Sequence, residues 1–312
     1  MQRLIIDTDP GVDDAQAILL ASAHPHTKIE AILSVGGNVG LEHTTRNALT
    51  IVEAIGQDIP VYAGCDGPLV LFGEDAAWVH GTDGLGDCGI TPQSRKAEQE
   101  HAANALVRMA NAEPDAFTLV AIGPLTNIAL ALKLDPELPN KLKRFVIMGG
   151  AVTGKGNTSN VAAEFNIFAD PEAAHVVFES WSQAGKLIEV VDWEATVRHE
   201  IPFDLVEKWR AWESPRAKFF DAVSSRSLEM MAEKFGRTSL ISADALALAV
   251  VVEPDCVTRA ESHYLMVEIG GMYARGQTIV DWYDRMGKNI NASIILDVDV
   301  DRFRALFEAS LK

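Results

Sequence analysis

Five short runs rich in aliphatic and β-branched residues, 3–6, 29–35, 117–122, 144–148 and 187–191, alternate with longer segments whose apolar residues recur at three- and four-residue spacing, 15–22, 44–55, 98–112, 125–134 and 171–181. Several of the longer segments open after Asp, Gly or Pro, as helices do. Strand, helix, strand in this rhythm demands crossover connections, because parallel strands cannot be joined by a tight turn, and such crossovers are right-handed. The predicted fold is therefore α/β: a single open, mainly parallel, Rossmann-like sheet with helices on both faces, forming one domain over 1–312. Residues 202–237 read as wholly helical, a small cap insertion with Trp209, Trp212, Phe219, Phe220, Leu228 and Met231 facing inward. The segments 263–267, 277–280 and 292–298 read as edge strands before a closing helix, 300–311. In sheets of this kind ligands collect outside the carboxyl ends of the strands, so the chemistry belongs in the loops that follow them.

The loop after the first strand is the most acidic of these. Asp7-Thr8-Asp9-Pro10-Gly11-Val12-Asp13-Asp14 sets four carboxylates within eight residues, directly behind Leu4-Ile5-Ile6. Like charges held close in a partly buried loop raise one another's pKa or recruit a cation. Pro10-Gly11 turns the second pair back towards the first, and Asp13 and Asp14 fall where a helix N-terminus relieves part of the repulsion. Oxygen donors with no Cys or His beside them select a hard divalent ion, Ca²⁺ or Mg²⁺, over zinc. Helix capping explains one or two such residues but not four. A buried strand followed by Asp-x-Asp also opens the haloacid-dehalogenase-like phosphatases, which would make Asp7 a nucleophile and Asp9 its acid/base partner. Pro10 to Asp14 is not the continuation that motif requires, and no convincing Lys with a paired-Asp metal site follows.

Composition narrows the partners. Against 44 Asp and Glu stand only 27 Lys and Arg, a net charge of −17, with no cationic cluster to displace counterions from a nucleic acid or to meet an anionic membrane. With 48% hydrophobic residues the chain has ordinary globular composition, so its acidity does not signal disorder. No apolar stretch approaches the ~18 residues of a spanning helix. Met1 to Ile6 meets Asp7 at once and reads as neither signal peptide nor anchor. Cys65, Cys88 and Cys256 lack metal-ligand spacing and suit a reducing compartment, which points to the cytoplasm.

The Asp-x-Asp-Pro-Gly-x-Asp-Asp run resembles the N-terminal signature of the inosine-uridine preferring nucleoside hydrolases. Further motifs of that family follow in its order: Val35-Gly36-Gly37-Asn38, His80-Gly81-Thr82-Asp83-Gly84-Leu85-Gly86, Gly123-Pro124-Leu125-Thr126-Asn127, Met148-Gly149-Gly150, Glu164-Phe165-Asn166, Asp170-Pro171-Glu172-Ala173-Ala174 and Asp244-Ala245-Leu246. The resemblance implies Ca²⁺-dependent hydrolysis of the N-glycosidic bond of a small-molecule ribonucleoside, for salvage or catabolism, on a single open α/β domain. It implies that Asp9, Asp14, Asp244 and the carbonyl of Thr126 hold the ion, that Asp9 takes a proton from the attacking water, and that Asn38 orients that water. It implies too that Asp13 binds the ribose 2′-hydroxyl, that Glu164 and Asn166 reach the 3′ and 5′ side, and that Met148 packs near the sugar. Asn157 is a further ribose contact by the same match, although it lies one residue farther from Glu164 than is usual, and Asn160 competes for the role. Relatives are commonly homodimers or homotetramers; Trp209 or Phe220 would serve such an interface.

This chain also departs from the family. Its well-studied branch has a His before the last metal-ligating Asp, thought to protonate the departing base; Ser242-Ala243-Asp244 puts a methyl group there. His80 is one substitute, and a loop-stabilising role accounts for it equally well. His24, His26 and His43 read as surface or structural. A catalytically impaired ribose- or nucleoside-binding protein is the competing reading. Trp193 would stack on a base or pack in the core, and Trp78, Phe72, Trp282 and Tyr283 have no assigned place, so base preference stays open.

Overall fold

The computed structural model describes residues 1–71 and 73–312; Phe72 lies outside the described residues. The first half of the chain runs β1 (Gln2–Thr8), α1 (Val12–Ala23), β2 (Thr27–Ser34), α2 (Leu41–Ala54), β3 (Val61–Ala63), α3 (Ala77–His80), α4 (Ala102–Ala112), β4 (Phe117–Ala121), α5 (Thr126–Leu134), α6 (Leu138–Lys141) and β5 (Arg144–Met148). It continues through α7 (Phe165–Ala169), α8 (Pro171–Ala184), β6 (Ile188–Val191), α9 (Trp193–Arg198), β7 (Ile201–Pro202), α10 (Phe203–Arg210), α11 (Pro215–Phe235), β8 (Ser239–Leu240) and α12 (Ala243–Val252). β9 (Val257–His263), β10 (Leu265–Val267), β11 (Thr278–Val280), β12 (Ala292–Val298) and α13 (Val300–Ser310) complete it.

Eight strands form one open sheet in the order β3-β2-β1-β4-β5-β6-β12-β9, parallel throughout except for β9, which runs antiparallel to β12. Alternation along β1 sends Leu4 and Ile6 into one hydrophobic layer and Ile5 into the other, so both faces of the strand are buried. One layer packs α1, α11, α12 and α13 against the sheet, and the other packs α4, α5 and α8. β1 is flanked by β2 on one side and β4 on the other. The chain winds outward one way through β2 and β3, then returns and winds the other way through β4, β5 and β6. The ends of β1 and β4 are the place where the winding reverses, and a crevice opens there.

Several sequence expectations change. The segment 292–298 is not an edge: β12 lies between β6 and β9, and the edge is β9, whose residues are mostly exposed or half-buried and so show no apolar alternation. β10 and β11 form a separate two-stranded antiparallel ribbon beside α8. The helix expected from residue 98 begins at Ala102, because Glu98 N instead donates to Val61 O (2.8 Å) as a short bridge next to β3 and the His101 side chain caps the helix. The helical region 202–237 is two helices, α10 and α11, joined across 211–214.

That region is welded to the body of the protein rather than perched on it. Trp209 and Phe220 are fully buried within the chain. Trp209 stacks on Phe307 of α13 (ring centroids 5.3 Å apart, 15° between planes), and Phe220 meets the same ring edge-on at 5.7 Å. Neither side chain can therefore present an oligomer interface. Phe219 and Leu228 are buried as expected, while Trp212 and Met231 are half-buried. Replacing Trp209 by Ala removes a buried aromatic from this contact and is expected to destabilise the fold by about 3–5 kcal/mol, read as a shift in urea unfolding; a loss under 1 kcal/mol would mean that the helical region packs independently of α13.

Candidate functional site

The acidic loop leaves the carboxyl end of β1 at the reversal point and feeds straight into α1. Asp9 is fully buried and boxed in: a Cβ on Gly37 would lie 2.2 Å from its Oδ2, and a Cβ on Gly123 would lie 2.7 Å from its Oδ1. Glycine at both positions lets two loops close on one carboxylate. Asn38 N donates to Asp9 Oδ2 (2.7 Å), and Asn38 Nδ2 donates to the Asp9 carbonyl (3.1 Å) and to Asp14 Oδ2 (3.2 Å). Asp14 also accepts from Thr8 Oγ1 and from Gly11 N at 2.8 Å. Asp9 Oδ1, by contrast, is buried without a hydrogen-bond partner.

α12 brings in a second acidic group from 230 residues further along the chain. Asp244 sits in its first turn, and ligand oxygens of Asp13, Asp14 and Asp244 all lie within 4.8 Å of one another. Burial raises Asp9 and Asp244 well above the usual carboxylate range, with the charge of Asp14 adding to the first and that of Asp13 to the second. Asp13 and Asp14 are pushed to about 6, again chiefly by burial, partly relieved for Asp13 by backbone amides that include those of Ala243 and Asp244, and for Asp14 by Thr8 and Gly11. So many buried oxygens sharing so little positive charge, one of them partnerless, form a set that could hold a hard divalent ion. Thr126 opens α5 just after β4, its Oγ1 held by Asp170 Oδ2 at 2.7 Å.

Above this floor lies a cavity of about 510 Å³, within the range of small-molecule sites. One end is lined by Asp13, Asn38, Met148, Asn157, Glu164, Asn166 and Asp244. Glu164 caps α7, its carboxylate accepting from Gly150 N (2.9 Å), Asn166 N (2.7 Å) and Ile167 N (3.2 Å), while burial pushes its pKa up to about 7. Asn166 Nδ2 donates to the carbonyls of Ile122 and Met148, which fixes the amide and turns its Oδ1 away from those bonds. Asn157 lines the cavity, whereas Asn160 is bonded elsewhere, accepting from Ala162 N and Ala163 N of its own loop and donating to Arg275 O in a distant one.

The other end is mainly apolar. Trp78 of α3 and Phe235 of α11, both lining residues, pack on each other at a tilt, centroids 5.9 Å apart, and both are more than half exposed. Trp193, half-buried against the core, also lines the wall. Tyr283 is exposed, and Trp282 packs edge-on to His263 at 5.0 Å, away from the cavity. His80 lines the cavity too, and its Nδ1 accepts from Val12 N at 3.0 Å, which puts the ring proton on Nε2. Burial holds its pKa down at about 4, so it is neutral near pH 7. Asp7, the nucleophile of the phosphatase alternative, is fully buried and bonded to Asn127 Nδ2 (2.8 Å); like Asp9 and Asp14, it lies behind the residues that line the cavity. Three residues that sequence reasoning passed over meet at the cavity wall and behind it: Gln16, Ser224 and Ser242. The signal was present, since Gln16 interrupts the otherwise apolar run Ala15 to Leu20.

Residues 4–305 match the sequence profile of the family described as inosine-uridine preferring nucleoside hydrolase. The chain is 38% identical over 306 residues to the non-specific ribonucleoside hydrolase RihC of Salmonella newport, covering 97% of this chain and 95% of the relative. It is 32% identical over 311 residues to the pyrimidine-specific ribonucleoside hydrolase RihB of Escherichia coli, covering 100% and 97%. Among solved structures it superposes on a plant nucleoside hydrolase, the PpNRh1 enzyme, with a TM-score of 0.91 at 32% identity, covering 99% of this chain and 98% of that one.

The electrostatics set a pH test. A carboxylate whose folded pKa lies above its unfolded value favours folding only while it keeps its proton, so that contribution is lost as pH rises. Asp13 and Asp14 near 6 and Glu164 near 7 place this loss between about pH 4 and about pH 8. Adding a divalent cation to chelator-treated protein is therefore expected to raise the unfolding temperature by more at about pH 8 than at about pH 5; scanning fluorimetry that finds the reverse order would contradict this account of the cluster.

Proposed function

Because the chain belongs to the inosine-uridine preferring nucleoside hydrolase family and is a nucleoside hydrolase enzyme, we propose that it cleaves the N-glycosidic bond of ribonucleosides with Ca²⁺ held by Asp9, Asp14, Asp244 and the Thr126 carbonyl, and with Asp9 as the base. The observation that carries this reading is the close set of oxygens from Asp13, Asp14 and Asp244, with Asp13 and Asp244 lining the cavity, backed by the partnerless, buried Oδ1 of Asp9. An all-oxygen donor set suits a hard cation, and a flexible many-ligand site suits Ca²⁺ better than Mg²⁺. Bound there, the ion would act as a Lewis acid towards water and offset the repulsion among the carboxylates.

The protein groups divide the remaining work. Asp9 Oδ1 takes one proton from the attacking water, and Asn38, whose Nδ2 is already committed to Asp9 and Asp14, offers its Oδ1 to orient that water. A C1′–O bond forms as the C1′–N bond breaks, and the bonding pair leaves with the base, which acquires a proton from solvent. Positive charge grows on the ribose ring as this happens, and Asp13, Glu164, Asn157 and Asn166 surround that end of the cavity with carboxylates and lone pairs. The same groups bind ribose hydroxyls, Asp13 the 2′-hydroxyl; a deoxyribose would leave a buried carboxylate without its donor. Met148 packs under the sugar. The base occupies the apolar end against Trp78, Trp193 and Phe235, with His80 donating from Nε2 as a neutral hydrogen-bond donor rather than an acid. Ala243 has no proton to give. The proposal includes cytoplasmic location, in keeping with three free cysteines, and a homodimer or homotetramer formed by surfaces other than Trp209 and Phe220.

Release of reducing sugar from a panel of common and modified ribonucleosides, with and without chelator, tests this directly. Asp9→Asn is expected to lower kcat/KM at least about a thousandfold, about 4 kcal/mol of transition-state stabilisation, without loss of fold. Retention of most activity in that variant would remove Asp9 as the base, and activity indifferent to chelator would remove the ion.

A further inference from the structure

Gln16 lies on α1 three residues beyond Asp13, one turn further along the same face. If Asp13 meets the sugar, the next group on that face meets what the sugar carries. Gln16 is 1% exposed, yet it lines the cavity beside the Ala243 methyl group. Two bonds fix its amide: Ser242 Oγ donates to Oε1 at 2.6 Å, and Nε2 donates to Ser224 Oγ at 3.0 Å. Both serines are buried; Ser242 stands at the N-terminal boundary of α12, immediately before Ala243, without capping the helix through its side chain, and Ser224 comes from α11, the helix that also supplies Leu228, Met231 and Phe235 to the cavity wall. These two bonds use the carbonyl oxygen and one of the two N–H groups. Among the described residues no acceptor takes the second. A buried donor left in that state is costly, and a ligand atom in the cavity would satisfy it.

We propose that Gln16 is a catalytic residue of this chain, its second amide N–H donating to an acceptor atom of the nucleobase and stabilising the negative charge that develops there as the base departs. The inference rests on the hydrolase reading above. The C1′–N bond breaks with its electron pair passing to the base, the amide keeps its proton throughout, and the base is protonated from water after departure. Gln16 thus lowers the barrier by a fixed hydrogen bond rather than by proton transfer, at the place where Ala243 can do neither. Ser242 and Ser224 are positioning residues that hold the amide with its N–H inward. The mechanism favours bases that spread the departing charge onto a carbonyl oxygen or ring nitrogen at that edge.

The test compares two substrates of the calcium-supplied, full-length enzyme: whichever of inosine and uridine the wild type cleaves faster, and p-nitrophenyl β-D-ribofuranoside, whose phenolate leaves readily without help. Gln16→Leu is expected to lower the ratio of kcat/KM for the nucleoside to that for the aryl riboside by about tenfold or more. Gln16→Met keeps nearly the same length and volume, has no proton to donate and no titratable group, and is expected to lower the ratio at least as far. A ratio within about twofold of wild type in both variants, whether the two activities persist or fall together, would reduce Gln16 to a structural residue and overturn the proposal. A wild type inert towards every ribonucleoside and the aryl riboside would instead overturn the hydrolase reading, and this inference with it.

Discussion

The mutual repulsion of carboxylates at the end of β1 is the constraint around which the rest is arranged. Asp9, Asp13, Asp14 and Asp244 are drawn together, with Asn38, Thr8 and a few backbone amides giving partial relief. No chain would gather such groups for stability, because each pushes the others towards protonation. The scaffold supplies the force that holds them. β1 is buried on both faces by neighbouring layers, and α1 and α12, packed against each other, carry Asp13, Asp14 and Asp244 to one point from opposite ends of the sequence. Strain of this electrostatic kind is stored where function requires it and is balanced by the hydrophobic layers elsewhere.

The cavity built on that floor is divided by chemistry. One end is dense in oxygen and amide groups whose orientations are fixed by bonds to the main chain, as Glu164 is by three amides and Asn166 by two carbonyls. The other end is walled by aromatic and aliphatic side chains from α3, α9 and α11, two of which are largely exposed. A rigid polar end and a more open apolar end suit a ligand with one invariant part and one variable part. The relatives differ in the same sense, one being non-specific and another pyrimidine-specific by name.

How much of this the sequence disclosed follows from what each signal depends on. The alternation of apolar runs with helical periodicity identified the parallel sheet and its principal helices, because burial on one or both faces leaves a period in the chain. β9 escaped notice because an exposed edge strand has no apolar alternation, and α12 because a helix buried on every side has no polar face to mark its period. Asn38, Asp13, Glu164 and Asp244, named from the motifs, line one cavity, while Asp9 is buried without lining it; Asn157 lines it as well, and Asn160 is bonded to Ala162, Ala163 and Arg275 instead. The Gln16–Ser242–Ser224 network was invisible for a plainer reason: its members are 226 and 208 residues from Gln16 in sequence, and nothing local announces that they meet.

The central claim is that the buried carboxylate cluster exists to bind a cation. Titration calorimetry of the chelator-stripped protein with Ca²⁺ at neutral pH measures this without reference to turnover. The account predicts saturable uptake of a single ion per chain, accompanied by proton release from the raised carboxylates and lost in Asp14→Asn and Asp244→Asn. Absence of saturable uptake, or uptake of equal strength in both variants, would contradict it.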